Sequence, residues 1–74
     1  MNGFMRAEQV AMIRKAYPKG TRIVLISMDD PYTKLQPGDK GTVQFVDDAG
    51  QLQMKWDSGS TLALIPGEDS FRVE

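Results

Sequence analysis

Neither cysteine nor histidine occurs anywhere in this 74-residue chain, and the two absences exclude much. Without cysteine there is no disulfide staple and no thiolate metal site, which in so small a domain points away from secreted scaffolds and toward a reducing, cytoplasmic setting. Without histidine as well, the chain lacks the commonest general base, the thiol nucleophile and the best zinc ligands together. Long apolar runs are missing too. None approaches the ~20 residues that span a bilayer, and the N-terminus has neither the basic start nor the uninterrupted apolar stretch of a signal peptide, so no membrane association is expected. An excess of one charge is also absent: nine Lys and Arg stand against ten Asp and Glu, a net charge of -1 that gives no global field for a polyanion. The length leaves room for one domain, and a domain near this size buries roughly 60% of the surface its unfolded chain exposes.

What is present is unevenly distributed. Residues 1 to 28 hold Arg6, Arg14, Lys15, Lys19 and Arg22 against Glu8 alone, while residues 29 to 74 hold four bases against nine acids. Over residues 4 to 17, Met5, Val10, Met12, Ile13, Ala16 and Tyr17 fall on one broad arc at 3.6-residue spacing, interrupted by Arg6 and Gln9, and this predicts a helix that Pro18 and Gly20 stop. A helix of that length is marginal alone, so its apolar side must lie against the rest of the domain or against a partner.

Beyond Gly20 the period changes to that of β structure. Ile23 to Ile26 reads as strand one, and the stretch Met28 to Asp39 reads as a long structured loop, with turn formers Asp29, Asp30, Pro31, Pro37 and Gly38 and apolar anchors Tyr32 and Leu35. Gly41 to Val46 is strand two, although Val43, Phe45 and Val46 cannot all face one side without a bulge. After the Asp47 to Gly50 turn, Leu52, Met54 and Trp56 alternate cleanly with Gln51, Gln53 and Lys55 as strand three. A turn at Asp57 to Ser60 leads to strand four, Leu62 to Ile65, and a polar bend after Pro66 and Gly67 leads to strand five, Phe71 to Val73. The expected fold is mainly β: an N-terminal helix and lead-in over residues 1–18, then a five-stranded SH3-like barrel over residues 19–74, closed rather than bare-edged.

Four segments, Tyr17 to Arg22, Pro37 to Val43, Trp56-Asp57 and Leu64 to Gly67, together resemble an uncharacterised family of small SH3-like proteins from bacteria, phages and mobile elements, a domain of unknown function. The resemblance covers nearly everything from Tyr17 onward. It implies the barrel and brings no catalytic residues with it. The Gly-Asp-Lys-Gly-Thr-Val stretch is also similar, more weakly, to the glycine turn of KOW-type SH3-like domains. In that stretch Gly38 after Pro37 suits a turn that needs a positive φ, and Gly41 suits a strand bending into a tightly curled barrel.

Catalysis would have to rest on carboxylates. Asp29-Asp30 and Asp47-Asp48 are adjacent pairs whose side chains tend to point apart, and Asp is a common turn residue, so a structural role competes directly with a chemical one. Asp47, Asp48 and Asp57 could be imagined on a hard cation, but no calcium-loop spacing is present. The serines have no partner base, and the glycines near Lys40 lead into a strand rather than a phosphate-holding helix N-terminus. No enzyme activity, cofactor or metal is expected.

A binding module fits better. Its candidate contact residues are Tyr32, Leu35, Phe45 and Trp56, with Phe71 and Tyr17 behind them, since a flat ring can stack on a proline, a base or a cation. For Trp56 and Phe71 the competing reading is core, because both fall in step with inward residues. The leading expectation is a contact with another protein through the 28–39 loop. The first alternative is nucleic-acid binding by Arg14, Lys15, Lys19 and Arg22, and the second is a helix-mediated structural or oligomerisation role.

Overall fold

In the computed structural model, which describes residues 6–28, 30 and 32–74, the clean alternation ending at Trp56 is a strand. The elements in chain order are α1 (Ala7–Ala16), β1 (Arg22–Ser27), β2 (Lys40–Val46), β3 (Leu52–Trp56) and β4 (Ser70–Val73). Phe4 and Met5 of the expected helix, and Asp29 and Pro31 of the expected loop, lie outside the described residues. The strands form one antiparallel sheet in the order β3-β2-β1-β4.

Local chemistry sets each turn. At the head of the β2–β3 hairpin, Asp47 Oδ1 accepts the N–H groups of Ala49 and Gln51 at 3.0 and 2.9 Å, and its Oδ2 accepts Gln53 Nε2 at 2.9 Å. The side chain replaces a backbone acceptor that the turn lacks. Before β2, Gln36 to Asp39 form a turn closed by Asp39 N–H on the Gln36 carbonyl at 3.0 Å, with Gly38 at φ 94° after Pro37. That is the left-handed position a type II turn requires, so Gly38 does what its sequence context predicts.

The β2–β3 register shifts between Val43 and Phe45, which is the bulge demanded by three apolar residues in four positions. Val43 and Val46 are fully inside, and Phe45 is turned out to solvent. On β3, Leu52, Met54 and Trp56 are all buried. These join Val10, Ile23, Leu25, Leu35 and Leu64 in one hydrophobic cluster, with Ile13, Tyr17, Met28 and Phe71 packed on its margin. Val24 is also buried but belongs to the opposite face of the sheet, flanked by Lys40 on β2 and Arg72 on β4.

Helix α1 lies on β2 through a narrower stripe than the sequence arc suggests. Val10 enters the core and Ile13 and Tyr17 are half-buried, while Met12 and Ala16 are exposed. Gln9, which interrupts the arc, has its own role: its Oε1 accepts the Arg6 N–H at 2.9 Å and so satisfies an otherwise unpartnered amide at the helix start. Tyr17 meets Phe71 edge to face with ring centroids 5.5 Å apart, which links the end of the helix to β4.

Two expectations need correction. Among the described residues the sheet has four strands, not five, and it does not close into a barrel. The missing strand, Leu62 to Ile65, survives as an isolated pairing of Leu64 with Leu52, two backbone bonds of 2.9 Å. Its neighbours have other commitments. Leu62 N–H donates to Ser60 Oγ and its carbonyl accepts the Trp56 indole, while Ile65 N–H donates to Asp69 Oδ2 and its carbonyl accepts Glu68 and Asp69. With those groups engaged in turns, no ladder can extend past Leu64 to close the sheet.

Gly41 also has a different reason from the expected one. A Cβ there would lie 2.8 Å from Trp56 Cε3 and 3.1 Å from the Trp56 Cα, so the glycine exists to let the indole lie against the β2 backbone. Gly41→Ala is therefore expected to destabilise the fold by about 1–3 kcal/mol, the usual cost of overpacking, seen as a lower urea midpoint with little change in slope. An unchanged midpoint would show that the ring can shift freely.

Candidate functional site

The four aromatic and apolar residues expected to form a contact surface are not brought together. Trp56 is 1% exposed, with its Nε1–H donating to the Leu62 carbonyl at 2.8 Å, and Leu35 is buried in the same core. Both are structural. Tyr32 is 92% exposed in the segment before β2, its backbone N–H held by Asp30 Oδ1 at 2.9 Å. Phe45 is 59% exposed near the far end of β2, about 17 Å along the strand from Lys40 at ~3.4 Å per residue.

The four basic residues divide as well. On the outer face of the sheet Arg22 donates from Nη1 and Nη2 to the two carboxylate oxygens of Asp57, at 2.8 and 2.7 Å. It also donates to Thr42 Oγ1 at 2.9 Å and from Nε to Glu74 at 3.4 Å, while Lys40 Nζ bonds the other oxygen of Glu74. Antiparallel pairing makes this network, because Thr42, Arg22 and Glu74 share one row of the sheet and Asp57 and Lys40 share the row two residues along, on the same face. The guanidinium is neutralised where it stands and offers little to a phosphate.

Arg14 is also engaged. Its Nε and Nη2 donate to the Val46 carbonyl at 3.2 and 2.9 Å, and Nη2 reaches the exposed Asp48 at 3.3 Å. The carbonyl bonds tie the last turn of α1 to the end of β2, whereas the exposed ion pair adds little. Lys15 and Lys19 have no ion-pair partner among the described residues. The candidate carboxylates are likewise dispersed: Asp47 holds its turn, Asp48 meets Arg14, Asp57 meets Arg22, and no cluster of three acidic residues exists among the described residues.

One place does gather functional side chains. Between the end of α1 and the β2 bulge lies a groove of about 290 Å³ lined by Arg14, Tyr17, Pro18, Lys19, Gln44, Phe45 and Val46. Its lining thus combines two rings and a proline with one engaged and one unengaged cation. Gln44 and Pro18 were not among the candidate contact residues read from sequence, although the crowded Val43-to-Val46 run was the signal that one ring would be forced outward. A second, more enclosed depression of about 280 Å³ is lined by Lys34 and Leu35 with Ser58 and Ser60.

The charges on the outer face are sensitive to acid. Hydrogen bonding by Arg22 holds the Asp57 carboxyl below its usual range, and Lys40, with Arg22 behind it, does the same for Glu74. The same bond to Asp57, more than Glu74, raises the Arg22 guanidinium above its ordinary value. Because the unfolded chain binds these two protons more readily than the folded one, the stabilisation is complete above the unfolded values of about 4 and is lost as pH falls through the lower folded values. The urea midpoint should therefore be level from neutral pH down to about 5 and drop below about 4, and Asp57→Asn should flatten part of that drop. An equally steep drop in the variant would dissociate the ion network from acid stability.

Among the described residues no helix is long and apolar enough to cross a membrane. No curated protein and no solved structure matches the chain. The model of one sequence family does match, over residues 6–74, which takes in the helix, the whole sheet, the Phe45 groove and the ion network. The chain belongs to that family, described as a domain of unknown function (DUF4314).

Proposed function

We propose that this domain is a non-enzymatic module that binds an extended acidic segment of another protein in the groove between α1 and the β2 bulge. The reading rests on one observation: a large aromatic, Phe45, is left 59% exposed beside Tyr17, Pro18, Arg14 and Lys19. A bulge that turns a ring out of a short strand leaves its apolar area in water, and bulges commonly re-aim side chains at binding sites. The rings suit a proline or other flat apolar side chain, and Lys19 with Lys15 on the neighbouring turn suits carboxylates. The lack of His and Cys supports a binding role over a catalytic one. The resemblance to bacterial and phage proteins favours an adaptor in a bacterial or mobile-element system, acting in the cytoplasm.

A second reading keeps the 28–39 loop as the contact surface. It is supported by Tyr32 at 92% exposure and by the depression that Lys34 and Leu35 share with Ser58 and Ser60. Nucleic-acid binding has less behind it: with Arg22 and Arg14 engaged, Lys15 and Lys19 supply too few phosphate contacts for strong, salt-steep binding.

An amide-shift titration of labelled protein separates these readings, using an acetylated decapeptide of alternating proline and glutamate and, separately, a thymidine decanucleotide at low and physiological salt. The expected result is peptide-induced shifts at Tyr17, Gln44, Phe45 and Val46, weakened about ten-fold or more by Phe45→Ala, as for an aromatic anchor. Shifts centred on Tyr32 to Gln36 would favour the loop, and salt-sensitive shifts with the oligonucleotide alone would favour nucleic acid. Peptide shifts that Phe45→Ala leaves intact would refute the groove.

A further inference from the structure

The sheet has two outer strands, and they end differently. Beyond β3, Leu64 exchanges both backbone bonds with Leu52, and the Trp56 N–H donates to the Ser60 carbonyl at 2.9 Å. That edge is covered. Beyond β4 no strand among the described residues is paired. The alternation of an antiparallel ladder fixes which groups this leaves open. Glu74 N–H donates to the Arg22 carbonyl at 3.0 Å, so Glu74 and Arg22 form a hydrogen-bonded pair, and so do Arg72 and Val24 two residues on. Phe71 and Val73 therefore direct their N–H and C=O groups away from β1, outward from the sheet.

An unpaired row of that kind specifies its occupant, an extended backbone, and the side chains around it narrow the choice. Val73 is 51% exposed, and Arg72 is exposed between it and Phe71. Arg72 has no carboxylate partner among the described residues, and its hydrogen bond to the Val73 carbonyl is long at 3.4 Å. A second copy of β4 fits poorly. The two-fold antiparallel registers centred on Phe71 and on Arg72 set Arg72 against Ser70 or against its own symmetry mate, neither of which is a carboxylate, and the register that sets Arg72 against Glu74 meets a carboxylate already bonded to Lys40 and Arg22. A strand from elsewhere with an acidic residue opposite Arg72 has neither fault.

We propose that the free edge of β4 accepts an extended acidic segment of another protein as a fifth strand, anchored by the outward backbone groups of Phe71 and Val73 and selected by Arg72. This surface is separate from the Phe45 groove, and the proposal does not depend on that reading.

The test uses the whole labelled chain with two acetylated, amidated hexapeptides, one alternating valine with glutamate and one alternating valine with lysine, titrated to about 1 mM, the weak end of specific binding. The expected result is amide shifts across Ser70 to Glu74 and slowed hydrogen exchange at Phe71 and Val73 with the glutamate peptide. The lysine peptide should bind about three- to five-fold more weakly, the size of one cross-strand charge pair, and Arg72→Glu should reverse that order. Val73→Pro should abolish binding, since it removes an outward N–H, and the retained Glu74-to-Arg22 bond reports that the β1–β4 ladder is intact. If Val73→Pro does not fold, the Arg72→Glu reversal decides alone. The proposal is overturned by an absence of β4 shifts with the glutamate peptide, by shifts confined to Tyr17 and Phe45, by a peptide preference indifferent to Arg72, or by a peptide-free dimer in sedimentation that protects the same two amides.

Discussion

The contact on which the rest of this domain depends is the face of the Trp56 indole against the bare backbone of Gly41. It needs a glycine on β2, because a Cβ there would sit 2.8 Å from the ring. The indole then sits at the centre of the core with its N–H on the Leu62 carbonyl, and its own backbone N–H and C=O bind Ser60 and Gly59. One side chain thus joins the β2–β3 pair, the core and the 57–62 segment. Truncating such a residue costs about 3–5 kcal/mol, a large share of the 5–15 kcal/mol that keeps a domain folded.

With Trp56 and Leu35 fixed inside, contact with other molecules falls to what the sheet turns outward. The bulge in β2 is the link between packing and the proposed binding groove. Val43 and Val46 both reach the core only because the register slips between them, and the slip leaves Phe45 outside. The same sheet geometry decides which cations are available. Pairing brings Arg22 onto Asp57 and Glu74, and the end of β2 takes Arg14 through the Val46 carbonyl. Lys15 and Lys19 keep their charge for solvent or a ligand.

Much of this was legible in the residue order. The alternation at Leu52, Met54 and Trp56, the forced bulge at Val43 to Val46 and the positive φ of Gly38 follow from local rules that tertiary structure did not override. Other features were illegible for a physical reason. The basic bias of residues 1 to 28 is a property of the chain in one dimension, while Arg22 meets carboxylates 35 and 52 residues away. Strand four was expected from Leu62 to Ile65, but the backbone of those residues is taken by Ser60, Asp69 and the Trp56 indole, competition that a hydrophobic pattern does not display. Gly41 was marked as special from sequence, and only the partner that lies against it was hidden.

The indole N–H of Trp56 offers the most direct test of this account. If the ring is the common anchor of the core and the 57–62 segment, its hydrogen can exchange only when the whole domain unfolds, and the free energy from its exchange rate should equal that from urea denaturation. Exchange at a markedly lower free energy would mean that the 57–62 segment opens by itself, and that the indole is not the contact on which the fold depends.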